Sequence, residues 1–174
     1  MNTETRQQQY ALAEKLLSEQ NFVAAIVAGS VTMVLAAGFY GVLAVAAGGM
    51  VFRVMAAGIG VAIGLAMQFL GRGIDSKFPV AASVLAVLGC LLGKYFAIVM
   101  LTAKGQRMSP FDIFSSVPPG EVLSQIYKSL GVADLVFWML AIAAASYFAK
   151  RRLTHEEGLA LHVYENRRPG MITE

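Results

Sequence analysis

Charge is scarce in this chain. Only 14% of its 174 residues are Asp, Glu, Lys or Arg, and 57% are hydrophobic. An ordinary soluble domain carries about a quarter charged residues. Between Glu19 and Arg53, between Arg53 and Arg72, and between Asp134 and Lys150 there is no charge at all. Such a chain cannot cover a water-facing surface, and it is far too apolar for intrinsic disorder. Cysteine is scarcer still. The single Cys90 excludes an intrachain disulfide and any Cys-based metal site. Histidine occurs twice, both times in the tail, so Ser30, Ser83 and Cys90 sit in apolar runs with no base beside them. Enzyme activity is therefore not expected. With a mean hydropathy of +0.62, what is left is an all-α polytopic membrane protein.

Crossing about 30 Å of hydrocarbon takes roughly 20 mostly apolar residues. Four segments qualify, at about 22–48, 54–70, 78–103 and 132–149, the last stopped by Lys150, Arg151 and Arg152. The first is longer than the core of a cleaved signal peptide, and the 4–19 stretch before it mixes both charge signs, so it reads as a retained helix. Four spans put the N-terminus, the 71–77 turn and the tail on one side. That side holds Arg6, Lys15, Arg72, Lys77, Lys150, Arg151, Arg152, Arg167 and Arg168, while Arg53, Lys104, Arg107 and Lys128 lie opposite. Nine basic residues against four place both termini in the cytoplasm. The net charge of +3 and pI near 9.1 follow from this membrane bias, and no nucleic-acid motif accompanies them.

The membrane domain of 22–149 is thus flanked by an N-terminal segment, 1–21, and a basic tail, 150–174. Tyr10, Ala13, Leu16 and Leu17 share one helical face, which predicts an interfacial helix over 3–20. In the 104–131 loop, Ser109-Pro110 offers an N-cap and a proline at the first helical position. Pro118-Pro119-Gly120 then breaks the chain. Val122, Leu123, Ile126, Tyr127 and Leu130 follow on one face, predicting a re-entrant or interfacial helical hairpin. Thr154 and Glu157 form a capping box for a helix to about Asn166. The alternating Leu159, Leu161 and Val163 equally allow a short strand.

Within lipid, helices associate through close packing of small residues. Gly60-x-x-x-Gly64 marks the second span, flanked by Gly58, and Gly89-x-x-x-Gly93 marks the third. Gly29 and Gly41 mark the first. These faces serve either to pack one chain or to join copies of it, and their number favours a homo-oligomer as well as a bundle. Gly58-x-Gly60 is not a dinucleotide loop, because no strand precedes it and Ile63 stands where a third glycine is needed.

The run Met55–Gly64, then Gly71-Arg72-Gly73-Ile74-Asp75, then Leu88-Gly89-Cys90-Leu91-Leu92-Gly93 resembles an uncharacterised family of small bacterial four-helix membrane proteins. The likeness covers roughly residues 50–150. It implies a bacterial inner-membrane location and four spans, and it brings no activity or site residues.

Lys94 is the anomaly. Counted from Ala103 its Cα lies about 14 Å below the outer boundary, where a lysine costs roughly 2.5–3.5 kcal/mol. It must snorkel, pair, or line a path for an anion or solute. Asp134, near the start of the fourth span, is its natural partner, and otherwise a first-turn acid at a helix N-terminus. Tyr40 lies at a similar level, and Gln68 near the cytoplasmic end of the second span reads as an interhelical hydrogen-bonder. His155-Glu156-Glu157-Gly158-Leu159 begins like a zincin helix but has Leu159 in place of the second His, and His162 is too far on. No metal or cofactor is expected.

The functional expectation is a non-enzymatic, homo-oligomeric inner-membrane scaffold, sensor or anchoring subunit. Its partners would be the lipid bilayer, other copies of itself, and a cytoplasmic protein met by the N-terminal helix and tail. The alternative is a small channel or transporter with Lys94 on its path. A membrane enzyme acting on lipid or quinone is disfavoured, because no acid–base constellation faces any span.

Overall fold

The computed structural model describes residues 3–47 and 54–165, which are all-helical. Four helices are long and apolar enough to cross a membrane: α2 (Phe22–Ala46), α3 (Val54–Gly71), α4 (Lys77–Gln106) and α7 (Val132–Ala149). Two short helices, α5 (Pro110–Ser116) and α6 (Pro119–Ser129), form the hairpin between α4 and α7. α1 (Thr3–Ser18) and α8 (His155–Glu165) flank the four long helices in the chain. This is an all-α, multi-pass membrane protein. The expected ends at Gly48 and Asn166, and the charges Arg53, Arg167 and Arg168, lie outside the described residues.

Each start has a local cause. Asn21 precedes α2 in extended conformation, and its side chain accepts from Ala24 N at 2.9 Å. Ser109 accepts from Phe111 N ahead of the Pro110 that opens α5. α8 is a helix, not a strand: Thr154 N donates to Glu157 Oε2 at 2.9 Å, satisfying an otherwise orphan donor. α3 ends at Arg72, whose φ of 46° is left-handed and stops the helix.

In the bundle α2 packs on α3 and α4, and α7 packs on the same two from the other side. Ile63 and Met67 of α3 are fully buried in its core, and Phe78 is buried at the start of α4 against Phe22, Gly71 and Gly73. The two ends differ. At one, α1 packs against α8, with Ala13, Leu16 and Ala160 buried and the Tyr10 and Tyr164 rings 6.2 Å apart. The face predicted to lie in the membrane interface is therefore largely spent on α8. At the other, the α5–α6 hairpin folds back on α4, burying Ile113, Val122 and Ile126 against Val99 and Ala103. The predicted apolar stripe of α6 is split, since Leu123 and Tyr127 stay exposed. We call these the platform end and the hairpin end.

Candidate functional site

Lys94 and Asp134 meet. The Lys94 ammonium lies 3.1 Å from Asp134 Oδ2, and the two side chains are 11% and 5% exposed. Asp134 sits at the third position of α7, where Oδ2 also accepts from Gly131 N at 3.0 Å. That bond satisfies one donor ahead of the helix, and the carboxylate suits the positive end of the helix dipole.

The ion pair sets the level of the Lys94 ammonium relative to the other helices. α4 does not end at Ala103 but runs to Gln106, about 18 Å beyond Lys94 at 1.5 Å per residue. Those three extra residues are exposed, and the first of them ties α4 to α2: Lys104 Nζ donates to Val45 O at 3.1 Å. The Lys94 ammonium is level with the first turn of α7, where Asp134 sits. At 3.1 Å and an effective dielectric of about 20, the attraction is of order 5 kcal/mol. Desolvation takes back several kcal/mol per ion. The pair adds little net stability, but either member alone would be costly.

Above the pair is a cavity of about 240 Å³, walled by Tyr40, Ala97, Ile98 and Leu101 and edged by Gln125 and Ser129 of α6. Tyr40 is buried, and its ring packs where a methyl at Gly93 would stand. Beneath the pair is a space of only about 10 Å³, closed by Ile59, Cys90, Phe137 and Trp138. That is roughly the size of one water.

The glycines settle into three roles. A Cβ on Gly60 would collide with the Ala141 carbonyl oxygen, and one on Gly64 would stand 2.8 Å from that of Ala145, so this ladder joins α3 to α7. Gly29 receives Leu85 and Met67, Gly41 receives Phe96 and Met100, and Gly89 receives Ile59 and Met33. All of these contacts lie within one chain. Gly58 is different: it is exposed, with nothing within 4 Å of its Cβ position.

At the platform end Gln68 Nε2 donates to Lys150 O at 3.0 Å, linking α3 to the exit of α7. Around it runs a chain of charges not anticipated from sequence. Arg72 and Arg151 both reach Glu19 Oε2, at 3.1 and 3.4 Å, and Arg151 reaches on to Glu157 Oε1 at 2.9 Å. Arg151 N donates to Gly73 O, Asn21 N to Gly71 O, and Ile74 N to Gln20 Oε1. Glu157 is held below the usual carboxylate range, first by the Thr154 N–H it accepts and then by Arg151. Opposite charges just outside the spans of one side were the available signal. Their pairing across 132 positions carries no local pattern.

Among the described residues no cluster of three His, Cys, Asp or Glu could hold a metal ion. No protein-family model, curated protein or solved structure matches this chain.

Proposed function

We propose that the protein is a non-enzymatic scaffold or anchoring subunit of a bacterial inner membrane, and that its platform end receives a soluble cytoplasmic partner. One observation carries the reading: the chain Arg72–Glu19–Arg151–Glu157 ties α1 and α8 to the end of the bundle. Four spans need no such fastening to remain inserted, whereas a docking surface for another protein needs fixed geometry. Leu17 and Leu159 are exposed on this platform and supply apolar contact area. Lys77, Arg72 and Lys150 to Arg152 lie at the same end, which supports its cytoplasmic location.

Self-association belongs to the same proposal, with a changed face. The glycine ladders are occupied within the chain, whereas Gly58 of α3 and Gly38 of α2 are open at their Cβ positions, and the outward stripe Gly58-x-x-x-Ala62-x-x-x-Ala66 offers a surface for close helix approach. A conduction path past Lys94 has less support, because the space below the pair holds about one water and Ile63 and Met67 fill the bundle beneath.

The test is a photo-cross-linking residue placed in cells at Leu17 or Leu159, with lipid-facing Val31 as control. The platform positions should each capture one discrete soluble protein, and Arg151→Ala should abolish capture. No adduct, or the same adduct from Val31, would end the partner reading. A wild-type particle of one-chain mass in mild detergent would end the self-association.

A further inference from the structure

We infer that the hairpin-end cavity binds a zwitterionic group, an anion and a primary ammonium a few ångströms apart, laid against the Lys94–Asp134 pair. The two charges line the cavity together, with Tyr40, Gln125 and Ser129 around them and apolar Ala97, Ile98 and Leu101 behind. A volume of about 240 Å³ holds several waters, against about one in the space beneath the pair. That is room for a small headgroup and not for a large solute.

The charges decide the chemistry. An anion alone, drawn to Lys94, would also face the Asp134 carboxylate 3.1 Å from the ammonium, and the two interactions would largely cancel. A cation alone meets the converse problem. A group carrying both charges gains at both ends, its anion on the ammonium, which has three N–H donors, and its ammonium beside the carboxylate. The single aromatic wall, Tyr40, does not make the aromatic cage that quaternary ammonium groups favour. The cationic part is therefore a primary ammonium and not a choline.

Two sources carry this chemistry: the phosphoethanolamine headgroup of a lipid, and a free zwitterion of the same kind. The cavity lies level with the first turn of α7, at the start of a span, so a lipid headgroup is one of the two sources to be tested.

The test compares melting of the purified full chain in nanodiscs of phosphatidylglycerol alone. Glycerophosphoethanolamine, glycerophosphate, ethanolamine and glycerophosphocholine are each added at one concentration. The first should raise Tm by roughly 3–6 °C at about ten times its Kd, and the other three by much less. Discs containing phosphatidylethanolamine separate the sources. If the lipid is the ligand they show the higher Tm without additive and a reduced response to the soluble compound; if the free zwitterion is, the response persists. Ser129→Leu, which pushes a side chain into the cavity from the surface of α6, should remove the shift while the protein still folds. The double variant Lys94→Met/Asp134→Asn should remove it too. An equal shift with glycerophosphate or ethanolamine alone, no shift in either disc, or a shift surviving in Ser129→Leu would each overturn the inference.

Discussion

Adding one methyl group at Gly60 is the sharpest test of how α3 and α7 meet. Its Cβ would overlap the Ala141 carbonyl oxygen and lie 2.7 Å from the carbonyl carbon and 2.8 Å from Cα. Ordinary carbon contacts are about 3.5–4.0 Å, so the helices must part by about 1 Å. The obstacle is backbone, which cannot rotate away as a side chain can. Overpacking costs about 1–3 kcal/mol, and a rigid obstacle points to the upper end, near 3. Replacing a helical glycine returns about 1 kcal/mol, leaving a loss of about 2. Gly58→Ala is the control on the same helix, two residues away. With nothing within 4 Å it should gain up to about 1 kcal/mol. The two variants should thus differ by about 3 kcal/mol, more than a hundredfold in the unfolding constant. Trp138, the sole tryptophan, packs beside Ala141 and reports the contact directly. Detergent titration of its fluorescence gives both unfolding free energies. If Gly60→Ala and Gly58→Ala agree within about 0.5 kcal/mol, the α3–α7 packing described above is wrong.

Lys94→Met and Asp134→Asn should each lower folded yield, since breaking a buried pair costs about 3–5 kcal/mol, and the double variant should recover part of it; additive losses would refute the coupling. Gly58→Leu should lower the oligomer order while the protein still inserts, whereas Gly60→Leu should damage the fold itself; an unchanged particle mass in Gly58→Leu would move self-association elsewhere. In a Cys90→Ala background, Gly105→Cys should label from outside the cell and Glu156→Cys should not, and the reverse pattern would invert the orientation. The folded-state pKa of Glu157 lies below its unfolded value. Its stabilisation is therefore present above the ordinary carboxylate range and lost as acid takes the pH down through the depressed value. Spin labels at Gln8 and Leu159 should separate on acidification, less steeply in Glu157→Gln, and an unmoved distance would contradict this.

The spans were legible because their ends carry charge. α7 is bracketed by Asp134 and Lys150, and it runs Val132–Ala149 as expected from hydropathy. α4 runs three residues past the apolar stretch, through Lys104, Gly105 and Gln106, whose composition alone looks like a loop. Sequence names Asp134 as the natural partner of Lys94 but leaves pairing open beside snorkelling, and the structure brings the two side chains together. The small-residue spacing marked which positions allow close approach but not which helix approaches them. Gly60 finds Ala141, 81 positions later, while Gly58 on the neighbouring face finds nothing. Glu19 read only as the last charge before a span, because its two arginines lie far along the chain.

The Glu19–Arg151 contact also imposes an order on biogenesis. Its partners are 132 positions apart, which at roughly 5–20 residues per second is about 7–26 s of translation. Throughout that interval the Ala13 and Leu16 face of α1 has no α8 to cover it, and Glu19 has at most Arg72. The platform can close only after α2, α3, α4 and α7 have all been made and Arg151 emerges beside Gly73. A partner that recognises the closed platform would bind finished bundles and pass over nascent ones. The four side chains that hold two helices in place thus come together only once the membrane part between them has been made.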